Sequence, residues 1–188
     1  MAIASIRTTY TTKARPAMKA ALGVENPMAL PRIEKVVINA GIGKILKDTK
    51  KVEEILSALE AIAGQKPVMT KAKKAIAGFK IREGLEVGVR VTLHGRRMWD
   101  FLDRLVHTAL PRIKDFQGIA QSAIDTYGNC HLGFREHIVF PEIVPEKVQY
   151  PFGFQVTIVT TARDRQQGEV LFRSLGFPLQ KNESDSQQ

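Results

Sequence analysis

Val87-Gly88-Val89-Arg90-Val91-Thr92-Leu93 alternates apolar and polar side chains without a break. Successive side chains of a strand point to opposite faces, so the run predicts a strand with two unlike sides. Val87, Val89, Val91 and Leu93 belong to a buried face, and Gly88, Arg90 and Thr92 to a polar one. Upstream, Ile33 to Ala40 reads the same way. Val36, Val37 and Ile38 are β-branched, which favours a pleated surface, and Lys35 and Asn39 share one face while Glu34, Val36 and Ile38 share the other. Downstream, Phe154 to Thr161 sets Phe154, Val156 and Ile158 against Gln155, Thr157 and Val159. Two shorter strands are expected, over Pro67 to Thr70 and around Asn129 to Arg135.

Helical periodicity lies between these strands. From Asp48 to Ala63, Val52, Ile55, Leu56, Leu59, Ile62 and Ala63 form one apolar stripe. Asp48 or Thr49 caps the start, and Gly64 suits the left-handed position beyond the end. A second amphipathic helix is predicted from Arg96 to Leu110, stopped by Pro111. Shorter ones are predicted from Asp164 to Leu175 and from Thr12 to Leu22, where Pro16 is tolerated only near the first turn. Strands with one polar face, interleaved with helices of one apolar stripe, predict an α+β two-layer sandwich. Helices would cover one face of a largely antiparallel sheet. The other face would stay open and carry Lys35, Asn39, Arg90, Thr92 and Thr157. Such a face is either simply solvated or a platform for RNA. A single domain over residues 1–180 is expected, followed by a disordered polar tail over 181–188.

The 28 Lys and Arg outnumber the 19 Asp and Glu, for a net charge of +9. Between Gly64 and Arg97 stand nine Lys or Arg and only two acids, Glu83 and Glu86, so most of the surplus is concentrated there. A localised surplus points to a polyanionic partner, because neutralised phosphates release condensed counterions. Lys71 to Glu86 lacks periodicity and is predicted to be a long exposed loop, a kind that is often functional. Its like charges and few apolar groups lead us to expect it to be mobile without RNA.

Other classes fare worse. The single cysteine, Cys130, excludes a disulfide scaffold within the chain. No apolar run approaches the roughly 18–20 residues of a bilayer helix, and no signal-peptide pattern opens the chain, so no membrane partner and a cytoplasmic location are expected. Gly41-Ile42-Gly43 follows a strand, but a dinucleotide fingerprint would need glycine where Leu46 stands. Gly43-Lys44 continues into Ile45, where a phosphate-binding loop needs a hydroxyl. Cys130, His131 and His137 lack zinc-site spacing, and Cys130 reads as a buried residue. Glu53 and Glu54 fall on a predicted solvated helix face. These readings leave no enzyme, no cofactor, no metal and no small-molecule substrate.

The block Pro31-Arg-Ile-Glu-Lys-Val-Val-Ile-Asn-Ala-Gly-Ile-Gly43 resembles the signature strand of bacterial large-subunit ribosomal protein five, the universal L-five family. Similar in the same order are Ala63 to Gly84, Val91 to Phe101, Leu110 to Phe116 and Phe140-Pro-Glu142, spanning about Leu30 to Pro178. Arg15-Pro16 departs from the family's usual opening helix. The resemblance implies an architectural protein of the central protuberance that binds 5S rRNA through the open sheet face. It also implies contacts with a hairpin of large-subunit rRNA, with P-site tRNA through the loop after the second strand, and with small-subunit protein thirteen in an intersubunit bridge. Carried onto this chain, the rRNA residues are Asn39, Gly41, Gly43, Gln65, Lys66, Thr70, Arg90 and Thr92. Lys66 and Arg90 would hold phosphates, while Asn39 and Gln65 would meet base edges or 2′-hydroxyls. The tRNA residues would be Lys71, Lys73, Lys74, Gly78, Phe79, Lys80 and Arg82. Arg112, Lys114 and the stretch from Glu142 to Tyr150 go undivided to rRNA or the bridge. Two other readings stay open: a protein-interaction module whose basic loop docks an acidic partner, and a stand-alone RNA chaperone or DNA-binding protein. The latter is disfavoured for DNA by the lack of a helix-turn-helix or zinc module.

Overall fold

Five strands form the centre of the computed structural model, which describes residues 5–43, 45–46 and 48–180. They are β1 (Ile33–Gly41), β2 (Val68–Lys71), β3 (Glu86–Leu93), β4 (Cys130–Phe134) and β5 (Phe154–Thr160). They pair in the order β2-β3-β1-β5-β4 in an antiparallel sheet, and with the helices they make an α+β two-layer fold. The helices are α1 (Ile6–Thr9), α2 (Arg15–Leu22), α3 (Thr49–Ala63), α4 (Gly95–Arg104), α5 (Leu110–Arg112) and α6 (Arg165–Ser174). The chain divides into two compact units. Val37–Leu93 and Gly133–Val156 form one, and the remaining described residues form the other. The expected tail over 181–188 lies outside the described residues, as does Lys44.

In the unit built on Val37–Leu93, alternation dictates the layering. Val89, Val91 and Leu93 are buried, while Arg90 is exposed and Thr92 half-buried. Helix α3 packs against β3 and buries Val52, Ile55, Leu59 and Ile62. Asp48 caps its first turn by accepting from the Lys51 N–H, and the hydrogen bond from the Lys51 ammonium, supported by that backbone bond, holds the Asp48 carboxyl below its ordinary range. Gly64, at φ +63°, closes the helix in the left-handed region open to glycine. Phe134, Phe140 and Phe154 complete this core, with Phe134 and Phe154 stacked at 5.1 Å.

The other unit corrects two expectations about proline. The N-terminal helical run begins at Ile6 rather than Thr12 and passes Pro16 without a break. The second long run passes Pro111 and ends at Arg112. In both, a wide π turn precedes the proline: Tyr10–Ala14, with Arg15 N–H bonded to Tyr10 O, and Leu105–Ala109, with Leu110 N–H bonded to Leu105 O. A proline ring clashes with the carbonyl four residues back in a regular helix, and one widened turn relieves that clash. Arg15-Pro16 is therefore no interruption. Ile6, Tyr10, Ala14 and Met18 are buried along one stripe of this run. Its N-terminus is capped from far along the chain, since Asp103 accepts from the Ser5 hydroxyl and the Ile6 N–H.

In the same unit a tight turn is clamped to the end of β5. The Asp125 carboxylate accepts from Tyr127 N, Asn129 N and Asn129 Nδ2, all at 2.8–2.9 Å. Burial alone would raise the Asp125 pKa, but these bonds and one to His131 outweigh it and hold it low. Asn129 Oδ1 accepts from Thr160 N, and Gly128 O accepts from Thr160 Oγ1. Cys130 is fully buried, and burial, with the Asp125 charge nearby, pushes its thiol up to about 12.

Candidate nucleic-acid interface

The polar side of β1, β2 and β3 assembles from residues that the pleat leaves pointing away from α3. Strand β2 pairs antiparallel with β3, placing Val68 opposite Arg90 and Thr70 opposite Gly88. Asn39, on the neighbouring strand β1, is exposed. Gly88 is the pivot. A methyl group there would lie 2.8 Å from Thr70 Oγ1, 3.4 Å from Ala40 O and 3.8 Å from Asn39 Oδ1. Glycine thus lets the Thr70 hydroxyl and the Asn39 amide converge over bare backbone. Sequence reading placed Gly88 on the polar face but gave it no role; only the register with β2 reveals one.

Gln65 leaves the α3 cap and donates through Nε2 to Thr92 O at 3.2 Å, which ties the entry of β2 to β3. Lys66 and Arg90 are exposed. Among the described residues, none of Lys66, Lys71, Lys73, Lys74, Lys80, Arg82 and Arg90 forms a salt bridge. The positive charge here is therefore not neutralised within the fold. On the remaining strands, Lys35 is half-buried, and Thr157 is half-buried with its Oγ1 3.1 Å from His131 Nδ1.

The segment after β2 is an exposed loop with backbone pairing of its own. Ala72 and Leu85 pair at its base, and Ile76 bridges Ile81 around a short 3₁₀ turn, Ala77–Phe79. Lys80 adopts φ +55° at the tip. Phe79 is 76% exposed and Ile76 48% exposed. Gly41 and Gly43, assigned with the strand residues from the sequence, also line a groove of about 560 Å³ together with Phe79 and Ile81. The structure thus brings two of the expected rRNA residues beside one of the expected tRNA residues.

Across that groove stands the segment Tyr150–Gly153, of which the sequence had marked only Tyr150, as the end of the stretch assigned to rRNA or the bridge. Glu54 Oε1 accepts from Gln149 N at 2.9 Å and Tyr150 N at 3.2 Å, so Glu54 is a clamp and not a solvated surface acid. Phe152 stacks on the buried His137 at 4.2 Å and donates its N–H to His137 Nδ1. Burial pushes the His137 pKa below its ordinary 6.5, despite that bond and the nearby Glu54 and Glu136. The unfolded chain then takes up the proton more readily than the folded one. The stability His137 contributes is complete above about pH 6.5 and is lost as pH falls toward the depressed folded value. Urea midpoints measured from pH 7.5 to 5 are expected to fall more steeply for the wild type than for His137→Gln; parallel curves would refute this.

No group of three His, Cys, Asp or Glu among the described residues is placed to hold a metal ion. Exposed polar residues on adjacent strands and a cationic loop without salt bridges among the described residues concentrate positive charge on the surface of this unit. Comparison with known proteins identifies the family. The family model for ribosomal protein L5 matches residues 26–82, and the model for the C-terminus of the same ribosomal family matches residues 86–179. The large ribosomal subunit protein uL5 of Rubrobacter xylanophilus is 45% identical over 180 residues, covering 96% of this chain and 100% of that protein. That of Herpetosiphon aurantiacus is 48% identical over 177 residues, covering 94% and 99%. The chain belongs to the ribosomal protein L5 family. It is a structural, non-enzymatic constituent of the large ribosomal subunit, associated with rRNA in the cytoplasmic ribosome.

Proposed function

We propose that this chain holds 5S rRNA on the polar face of β1, β2 and β3 and helps attach it in the central protuberance. The observation that carries the reading is the set Asn39, Thr70 and Arg90 on three adjacent strands, with Arg90 exposed and unpaired. Arg90 and Lys66 engage phosphates, which fixes the register of the RNA. Asn39 supplies an amide donor and acceptor for base edges or 2′-hydroxyls, and Thr70 and Thr92 add hydroxyls. Gln65 holds Thr92 in place through its bond to the Thr92 carbonyl. Lys71, Lys73, Lys74, Lys80 and Arg82 carry the loop to P-site tRNA, acting on phosphates without reading sequence. Gly78 and Phe79 shape its tip. Small-subunit protein thirteen meets the chain in an intersubunit bridge.

A filter-binding titration against 5S rRNA, tRNA and duplex DNA at two salt concentrations tests this. Specific recognition gives a 5S preference that persists as salt rises. Similar affinities for all three would reduce the face to generic charge binding. A tight complex with an acidic protein and none with RNA would favour an interaction module.

A further inference from the structure

The groove between the basic loop and the Tyr150–Gly153 segment has one wall built to stay still. Glu54 fixes the backbone of Gln149 and Tyr150, and Lys51 Nζ sits 5.2 Å from the Tyr150 ring centroid. Phe152 is held by its stack on His137. Gly153 is locked as well, since a methyl group there would meet Phe134 O at 2.9 Å. Ile45 and Ile55 line the groove, and Gly41 and Gly43 leave its edge free of side chains, with no atom closer than 4.0 Å to a methyl group at either. The opposite wall is Phe79 and Ile81, on the loop that carries the unpaired Lys73, Lys74, Lys80 and Arg82.

These features select an occupant. Largely apolar walls with aromatic rings favour a planar, weakly polar group, and the exposed Phe79 offers a stacking face. The surrounding cations require that group to be attached to an anionic chain. Side-chain-free glycine edges let such a chain pass close to the protein backbone. We propose that the groove receives an unstacked nucleobase from a single-stranded RNA loop. Its ring packs against Phe79 and its sugar–phosphate runs over Gly41 and Gly43 toward Lys80. This deepens the RNA-binding reading above and rests on it. It adds a base pocket separate from the strand face, in which residues attributed to two different RNAs serve one bound strand.

The test uses the full-length chain and two synthetic RNAs with the same stem and similar charge, an eight-nucleotide-loop hairpin and a blunt duplex. The hairpin carries 2-aminopurine in the loop. Binding is expected to change the 2-aminopurine fluorescence, and the hairpin is expected to bind about tenfold more tightly than the duplex, the scale of one stacked base. Phe79→Ala should abolish that preference, whereas Phe79→Trp should keep it. Photocrosslinks from a 5-iodouridine in the loop should map to peptides containing Phe79 and Tyr150–Phe152. If Phe79→Ala weakens hairpin and duplex equally, or the crosslinks avoid both peptides, the groove holds no base. If the wild type binds 5S rRNA but shows no hairpin preference, the pocket fails and the strand-face reading stands. If it binds none of these RNAs, the broader reading fails with it.

Discussion

Gly168→Ala is expected to cost about 1–3 kcal/mol, the range for forcing atoms into a filled site, because α6 meets the Gly128 backbone there with no space for a side chain. A methyl group on Gly168 would lie 2.6 Å from Gly128 Cα and 2.8 Å from Gly128 O. Neither atom is the movable end of a side chain. The space on the Gly128 side of the contact is filled as well, since a methyl group on Gly128 would meet Ala162 Cβ at 2.6 Å, Asp164 O at 2.9 Å and Gly168 Cα at 3.2 Å. The Gly128 φ of +74° and the Thr160 hydroxyl on its carbonyl hold it further. The strain therefore passes into the turn that Asp125 organises and into the first turn of α6. Urea unfolding should show a lower midpoint with an unchanged slope, the signature of lost stability rather than a changed unfolded state. A midpoint equal to wild type would mean that the turn and helix separate without cost.

The second large effect is on recognition. Asn39→Ala combined with Arg90→Ala is expected to lower 5S rRNA affinity about 100-fold, because each removes hydrogen bonds to charged or strongly polar groups. Both residues are exposed, so stability should stay within about 0.5 kcal/mol of wild type. Loss of Arg90 should also reduce the salt slope by about one phosphate. Gly88→Ala sharpens the point. Its methyl group displaces the Thr70 hydroxyl, which can rotate, so the strand survives while the convergence of Thr70 and Asn39 is spoiled. Folding is expected to be unharmed and affinity to fall about tenfold, the weight of about one good hydrogen bond. If the double variant binds 5S rRNA normally while Lys73→Ala abolishes binding, the division between strand face and loop is wrong.

What the sequence disclosed and what it hid follow from how far each signal reaches. The strands were legible because alternation is local, and α3 was legible because its stripe, Asp48 and Gly64 all lie within 17 residues. The polar face followed from the same alternation, and Asn39 and Arg90 are exposed as that required. The prolines misled because Pro16 and Pro111 announce a break, while the π turns that absorb them carry no sequence mark of their own. Asp103 at Ser5 and Glu54 at Gln149 are caps and clamps from more than 90 residues away, so neither had a local signature. Gly88 needed the β2 register, and Tyr150–Gly153 needed the fold, before either could be tied to a surface.

The inert sulfur of Cys130 has a practical consequence. It is the only cysteine in the chain, completely enclosed, and its proton leaves only at about pH 12. Thiol-directed reagents act on the ionised, accessible form, so at neutral pH they will pass it by. A spin label or dye can therefore be attached through a single cysteine introduced at Ala75, an exposed loop position, in an otherwise native background. Motions of the loop can then be followed as RNA is added.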